Sequence, residues 1–281
     1  ENANFAAKCA EHGIVFVGPS PEAMAALGDK VTAKEVAQKA GIPLIESNID
    51  ALVDETTALK EAQRIGYPLM MKAAAGGGGR GMRGVRDDEQ LKKAFHVARI
   101  EAMHAFGDDT VFLEKFVENP KHIEIQIAAD KHGNIVHLYE RDCSVQRRFQ
   151  KVVEVAPSTT LSQGALDKLY GYAVKIASAV NYNNLGTVEF LVDAAENIYF
   201  IEVNPRIQVE HTVTEMITGV DLIKTQLFIA DGYKLSDKEI GLGNQQAIPK
   251  NGVAIQCRIT TEDPTQDFKP DYGTLLTYRN A

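Results

Sequence analysis

The stretch AAAGGGGRGMRG, with six glycines between Gly76 and Gly84, can be neither helix nor strand interior. Each glycine there costs roughly 0.5–1 kcal/mol relative to alanine, so four in succession forfeit several. The stretch is a loop, and its neighbours must fold around it. Ahead of it YPLMMKA reads as a buried strand carrying Lys72. Behind it Asp87 can cap a long helix to about Phe106, and TVFLEKF returns as a strand over 110–116. Strand, glycine loop, helix and strand make one small α/β lobe. A glycine run alone suits a flexible linker as well as a binding loop. With Lys72 before it and Arg80 and Arg83 inside it, this one can offer both amides and cations to a polyphosphate. It has neither the G-K-[ST] of a Walker A loop nor the G-x-G-x-x-G of a dinucleotide fold.

The rest of the chain alternates helices with antiparallel hairpins. A first helix runs into a strand at 14–17, and Pro21 to Ala40 is helical, with a break at Gly28 and a stop at Gly41. Another helix covers 54–65. The segment HIEIQIAAD alternates strictly, with Ile123, Ile125 and Ile127 on one face and His122, Glu124 and Gln126 on the other, which reads as a half-buried strand. IVHLYER pairs with it across KHGN, a helix follows over roughly 162–180, and GTVEFLVD and NIYFIEVN form a second hairpin. A helix near 213–231, a strand at 253–259 and a strand-like GTLLTYR at 273–279 complete the series. The class is α+β, and both chain ends read as cuts through a domain.

Composition narrows the function. A formal net charge of −8 argues against a general nucleic-acid binder, and no apolar run approaches the ~20 residues of a membrane span. Cys9, Cys143 and Cys257 lie far apart without a C-x-x-C pair, so a disulfide framework or zinc knuckle is not indicated and a reducing compartment is expected.

The second hairpin carries the sharper chemistry. If AAEN at 194–197 is its turn, Asp193 pairs with Ile198 and Glu189 opposes Glu202 on one face. Opposed Cβ atoms sit about 4.5–5.5 Å apart, and like charges there are destabilising. A proton, a lysine or arginine, or a divalent cation has to offset them. Asn204 projects to the same side, and oxygen-only ligands suit Mg²⁺ or Mn²⁺. A one-residue slip would turn Glu202 away.

The string from Glu202 through NPRIQVEHTVTEMITGVD to Leu222, with Glu140-Arg-Asp-Cys-Ser-Val-Gln-Arg-Arg upstream, resembles the biotin carboxylase signature of the ATP-grasp superfamily. GDK at 28–30, MKAAAGGGGRGMR, LEKF at 113–116 and NPKHIEIQI at 119–127 extend the resemblance over essentially the whole chain in order. It implies an ATP-grasp fold truncated at both ends: a lobe end and helical linker over 1–44, a lid lobe over 45–116 and a larger lobe over 117–281. It implies that Lys30 and Lys72 contact ATP phosphates under a lid of Gly76, Gly77, Gly78, Gly79 and Gly81. Glu114, Lys115 and Val117 would edge the adenine, with Glu114 taking the exocyclic amine and the backbone at 115 and 117 the ring. His122 and Gln146 would lie along the nucleotide and Lys151 near the reacting phosphate, while Glu189, Glu202 and Asn204 hold Mg²⁺ or Mn²⁺. Glu210 would deprotonate bicarbonate to give carboxyphosphate, Arg206 would stabilise that intermediate and the biotin enolate, and Arg258 with Gln208 and Val209 would hold bicarbonate.

The resemblance further implies a biotinylated carrier domain and a carboxyltransferase domain as partners, a homo-oligomer, and a cytoplasmic or mitochondrial-matrix setting. KNGVAIQCRITTEDPTQDFKPDYGTL looks more like the carboxylases of pyruvate than those of acetyl-CoA or propionyl-CoA. Another ATP-grasp ligase would share Lys72, Glu189 and Glu202 but not the Q-V-E-H segment. Phe149 stands where many relatives have histidine. Phe149→His is expected to change the Michaelis constant for ATP more than turnover, and a collapse of turnover would count against that.

Overall fold

The computed structural model describes residues 1–48, 52–74, 82–147, 150–266 and 268–279, with Lys30 and Phe106 described by backbone alone. Three helices open the chain: α1 (Ala3–Glu11), α2 (Pro21–Gly28) and α3 (Lys30–Lys39). The break between α2 and α3 falls at Asp29, whose carboxylate accepts from the Thr32 amide at 2.8 Å and caps α3. Residues 14–17 were expected as a strand, but they pair with no strand among the described residues, and Ile14 and Val15 stay exposed. Their β-branched composition favours extension; only a partner makes a strand.

The glycine-rich region sits in a three-stranded antiparallel sheet of order β2-β1-β3, made by β1 (Leu69–Ala73), β2 (Met82–Val85) and β3 (Val111–Lys115). Helices α4 (Glu55–Ile65) and α5 (Asp88–Phe106) cover it, α5 capped by Asp87 as the sequence predicts and α4 capped by Asp54, which was expected inside the helix. Leu69, Met71, Leu91, Phe95, Val111 and Leu113 form its core. The glycines Gly76, Gly77, Gly78, Gly79 and Gly81 fall outside the described residues, as does Phe149.

A six-stranded antiparallel sheet of order β8-β7-β4-β5-β6-β9 forms the larger body. Its strands are β4 (Lys121–Ala129), β5 (Ile135–Arg147), β6 (Gln150–Ala156), β7 (Asn184–Val192), β8 (Ile198–Asn204) and β9 (Ala254–Cys257). One face packs on α6 (Gln163–Ala179) together with α2 and α3, burying Ile123, Ile125, Ile127, Leu169, Ile176 and Phe190 in one cluster. Opposite, α7 (His211–Thr218) and α8 (Leu222–Ala230) close over the sheet. The helix expected at 213–231 is therefore two. Gly219 ends α7 in the left-handed region at φ 70°, and the Asp221 side chain accepts from the Lys224 amide at 2.8 Å to start α8.

Two further expectations fail. Residues 273–279 form no strand and leave Leu275 and Leu276 exposed. Strand β4 is buried on both faces, not one: Glu124 and Gln126 are as inaccessible as the isoleucines between them. Its central place in the sheet explains this, because a neighbour on each edge and a helix on each face leave no side for water. Two-residue strands at Glu262–Asp263 and Lys269–Pro270 make a small separate pair. Among the described residues, no helix is long and apolar enough to cross a membrane.

Candidate active site

Glu189 on β7 does pair with Glu202 on β8, and Thr187 with Asn204. The register near the turn differs from the expected one, for Val192, not Asp193, pairs with Ile198. An irregularity between Glu189 and Phe190 lets Phe190 face Phe200 while Glu189 faces Glu202, so Ile201 is the extra residue of a bulge. Without it, continuing the turn-side register would set Glu189 opposite Ile201.

The Glu189 carboxylate is buried and fully engaged. Its Oε1 accepts from Lys151 Nζ at 2.9 Å, Asn204 Nδ2 at 2.8 Å and Gln208 Nε2 at 3.0 Å. Its Oε2 lies 2.7 Å from His122 Nε2. Burial alone would raise the Glu189 pKa, but His122 and Lys151 outweigh it and hold the carboxyl well below the usual range. Burial likewise pulls His122 down, and the Glu189 contact overcomes it to raise the imidazole above its ordinary value. The same Lys151 ammonium bonds Glu124 and also reaches Glu210 Oε1 at 2.8 Å. Three buried carboxylates thus converge on one lysine from β6, whose pKa they raise against the opposing effect of burial.

Sequence reasoning assigned no role to Glu124 or to Arg141, yet together they underlie this cluster. Arg141 is fully buried. Its Nε donates to Glu124 Oε2 at 3.1 Å, Nη1 to Gln126 Oε1 at 2.7 Å and Thr214 Oγ1 at 3.0 Å, and Nη2 to Thr187 Oγ1 at 3.0 Å and Gln208 Oε1 at 2.9 Å. One guanidinium ties β5 to β4, β7, α7 and the loop before α7. The available signal was the charge-bearing inner face of the alternating strand, which needs a counter-ion if it is buried. Burial pushes the Glu124 pKa up, and the neighbouring Glu189 charge adds to it.

Arg258 follows β9 and continues its pairing through a backbone bond from its N–H to Val152 O at 2.9 Å. Its Nη2 donates to Glu210 Oε2 at 2.7 Å and its Nε to Glu154 Oε1 at 2.9 Å. Glu210, 2% exposed, therefore bridges Lys151 and Arg258. Arg206 lies at the rim, exposed, with Nη2 3.3 Å from Asn204 Oδ1 and Nε 2.9 Å from Glu1. Gln208 is buried and Val209 exposed.

The expected nucleotide residues gather at the small sheet. Glu114 is buried and ion-pairs with both Lys72 and Lys34, so Lys34 joins a site where it was not expected. The two lysines outweigh burial and keep the Glu114 pKa below the ordinary range. Lys115 turns its ammonium back to the carbonyls of Gly66 at 2.8 Å and Tyr67 at 2.9 Å, and its amide donates to Glu46 O at 2.8 Å. Val117 is half-buried. Gln146 donates to Cys143 O at 2.8 Å. The Lys30 side chain lies outside the described atoms; its backbone begins α3. His122, expected along the nucleotide, is bonded to Glu189.

Opposed glutamates with an asparagine amide beside them give the hard-oxygen donor set that Mg²⁺ or Mn²⁺ takes. An ion binding Glu189 Oε1 displaces donors now on that oxygen. Cys143 is buried, and burial drives its thiol pKa far up.

Residues 29–238 match the family described as carbamoyl-phosphate synthase L chain, ATP binding domain. The chain is 54% identical over all 281 residues to the pyruvate carboxylase of Bacillus subtilis (strain 168), of which it covers 24%. It matches a Rhizobium etli pyruvate carboxylase solved with the allosteric activator acetyl coenzyme A at a TM-score of 0.91 and 51% identity, over 99% of this chain and 24% of that one. It matches the biotin carboxylase domain dimer of Hydrogenobacter thermophilus 2-oxoglutarate carboxylase, in complex with MgADP, ADP and bicarbonate, at a TM-score of 0.88 and 48% identity. That match covers 96% of this chain and 58% of the other. The chain spans about a quarter of the length of the curated relatives it matches.

Proposed function

The chain belongs to the carbamoyl-phosphate synthase L chain ATP-binding family, and from that premise we propose that it is the ATP-using part of a biotin carboxylase that activates bicarbonate. The observation that carries this reading is the Glu210 carboxylate held between Lys151 at 2.8 Å and Arg258 at 2.7 Å, with Lys151 also on Glu189. A base, two cations and a hard-oxygen pair at one place suit proton removal from a small oxyanion beside a phosphate.

Glu210 takes the bicarbonate proton, and the freed oxygen attacks the γ-phosphate of ATP, whose bond to the bridging oxygen breaks to give carboxyphosphate and ADP. Arg258, Gln208 and Val209 hold bicarbonate, and Lys151 meets the charge that develops between the two reactants. Lys30 and Lys72 bind phosphates, with Lys72 leaving Glu114 to do so. Glu114, Lys115, Val117, His122 and Gln146 flank the nucleotide, and the loop of Gly76, Gly77, Gly78, Gly79 and Gly81 closes over it to exclude water. Arg206, at the rim, receives the biotin enolate. Glu189, Glu202 and Asn204 would hold Mg²⁺ or Mn²⁺, which would supply neutralisation of phosphate charge.

The pyruvate carboxylases at 50–54% identity support pyruvate as the final acceptor over an acyl-CoA. With it come a biotinylated carrier domain and a carboxyltransferase domain on the same polypeptide, a homo-oligomer, a cytoplasmic or matrix location, and lobes dividing near 44 and 116. In the complete polypeptide, bicarbonate and biotin should stimulate ADP release from ATP, and added pyruvate should accelerate it further. ATP cleavage indifferent to bicarbonate sinks the reading. Cleavage that responds to bicarbonate and to an acyl-CoA instead of pyruvate leaves the carboxylase and replaces its acceptor.

A further inference from the structure

Two buried side-chain polar atoms lack a hydrogen-bond partner among the described residues, and one of them, Glu154 Oε2, lies inside the site. Glu154 stands on β6 opposite Gln256 of β9 and is wholly inaccessible to solvent. Its other oxygen accepts from Arg258 Nε at 2.9 Å, while Nη2 of the same guanidinium reaches Glu210 Oε2 at 2.7 Å. One cation therefore serves two buried carboxylates through different nitrogens. An orphaned buried oxygen is costly, so this carboxylate needs a reason to be there.

A structural role alone accounts poorly for it. The β6–β9 ladder already fixes the backbone at Arg258, whose amide donates to Val152 O. What the ladder does not fix is the guanidinium. Glu210 competes for it, and as the base it changes charge during the reaction read above. When Glu210 takes up a proton it ceases to be an anion, and its hold on Nη2 weakens. A guanidinium held only by Glu210 would swing between that carboxylate and the incoming anion.

Resting on the bicarbonate reading of the site, we infer that Glu154 is a positioning residue: it fixes Arg258 through Nε so that the Nη nitrogens stay presented to bicarbonate whatever the charge on Glu210. It touches no reacting atom. Burial lifts the Glu154 pKa and Arg258 opposes the lift, in keeping with a carboxylate that has this guanidinium as its main counter-ion.

The test compares Glu154→Ala and Glu154→Gln in the complete polypeptide that carries this chain, with bicarbonate-dependent ADP release as the readout. Glu154→Ala should raise the KM for bicarbonate about tenfold, the effect of losing about 1.4 kcal/mol of binding, with the KM for ATP unchanged. Glu154→Gln keeps an acceptor for Nε at the same reach and should recover most of that loss. An unchanged bicarbonate KM in Glu154→Ala overturns the inference. So does a loss shared equally between ATP and bicarbonate that glutamine does not restore, because that is the mark of damaged packing. A parent without bicarbonate-dependent cleavage overturns the underlying reading as well, and is seen before any variant is made.

Discussion

Glu210→Gln is expected to lower bicarbonate-dependent ATP cleavage by about 10²–10⁴-fold, the usual contribution of a positioned general base. The substitution keeps the shape of a side chain that is 2% exposed, and its one amide oxygen can accept from Lys151 or Arg258, so folding and nucleotide affinity serve as controls. The carboxylate that takes the proton is removed, and with it the negative charge and one of the two acceptors. The pH profile gives a second reading. Burial raises the Glu210 pKa, but the charge and hydrogen bond of Lys151 outweigh it and hold the carboxyl below its ordinary range. A base with a depressed pKa stays ionised as pH falls past the ~4.3 of a free glutamate, so the acid limb of kcat/KM for bicarbonate should lie below that value. Undiminished cleavage in the glutamine variant, or an acid limb near pH 6–7 traced to this residue, assigns the base elsewhere.

Arg141→Met should be the most destabilising single change in the larger sheet, costing about 3–5 kcal/mol, because it strips one of two counter-ions from a buried carboxylate and leaves only Lys151. Five hydrogen bonds end on that guanidinium, to Glu124, Gln126, Thr214, Thr187 and Gln208. Methionine fills much of the space and satisfies none of them. Lysine keeps the charge without the planar fork and should fall between. Adding Glu124→Gln to Arg141→Met should return part of the loss, since the uncompensated charge disappears with it. Urea midpoints of the four proteins decide the matter. A methionine variant within about 1 kcal/mol of the parent would show that the cluster contributes nothing a packed apolar residue cannot.

How much of this could be read from the residues varies with the distance over which each feature is decided. The cap at Asp87 follows from neighbours a few positions apart and stands where local rules put it; the hairpin does oppose Glu189 to Glu202, though its turn register differs by one residue and a bulge restores the pair. The break between α7 and α8 was equally local, signalled by Gly219 and Asp221, but an apolar pattern running across it masked the signal. Strand β4 shows the limit. Its alternation was plain, yet whether the face of His122, Glu124 and Gln126 meets water depends on Arg141 and Lys151, which arrive from strands 15 and 27 positions away. The strands read into 14–17 and 273–279 have the right composition without the pairing that would make them strands. In the site, the glutamates opposed across the hairpin were legible, whereas the sharing of Lys151 among Glu124, Glu189 and Glu210 was not. No spacing in the chain encodes a meeting of three separate segments.

The bulge at Ile201 separates two properties of its hairpin. On the turn side, pairing is counted from Val192 and Ile198; on the site side it is counted from Glu189 and Glu202, with the odd residue absorbed between them. The tip at 193–197 is thus mechanically insulated from the acids. Another tip that preserves the Val192–Ile198 pairing leaves Glu189 and Glu202 face to face, and deletion of Ile201 removes the bulge while the turn-side register itself brings Glu202 opposite Glu189. Tolerance along this hairpin is accordingly lopsided: permissive at the exposed tip, and on β8 more open to losing the residue at 201 than to gaining one there.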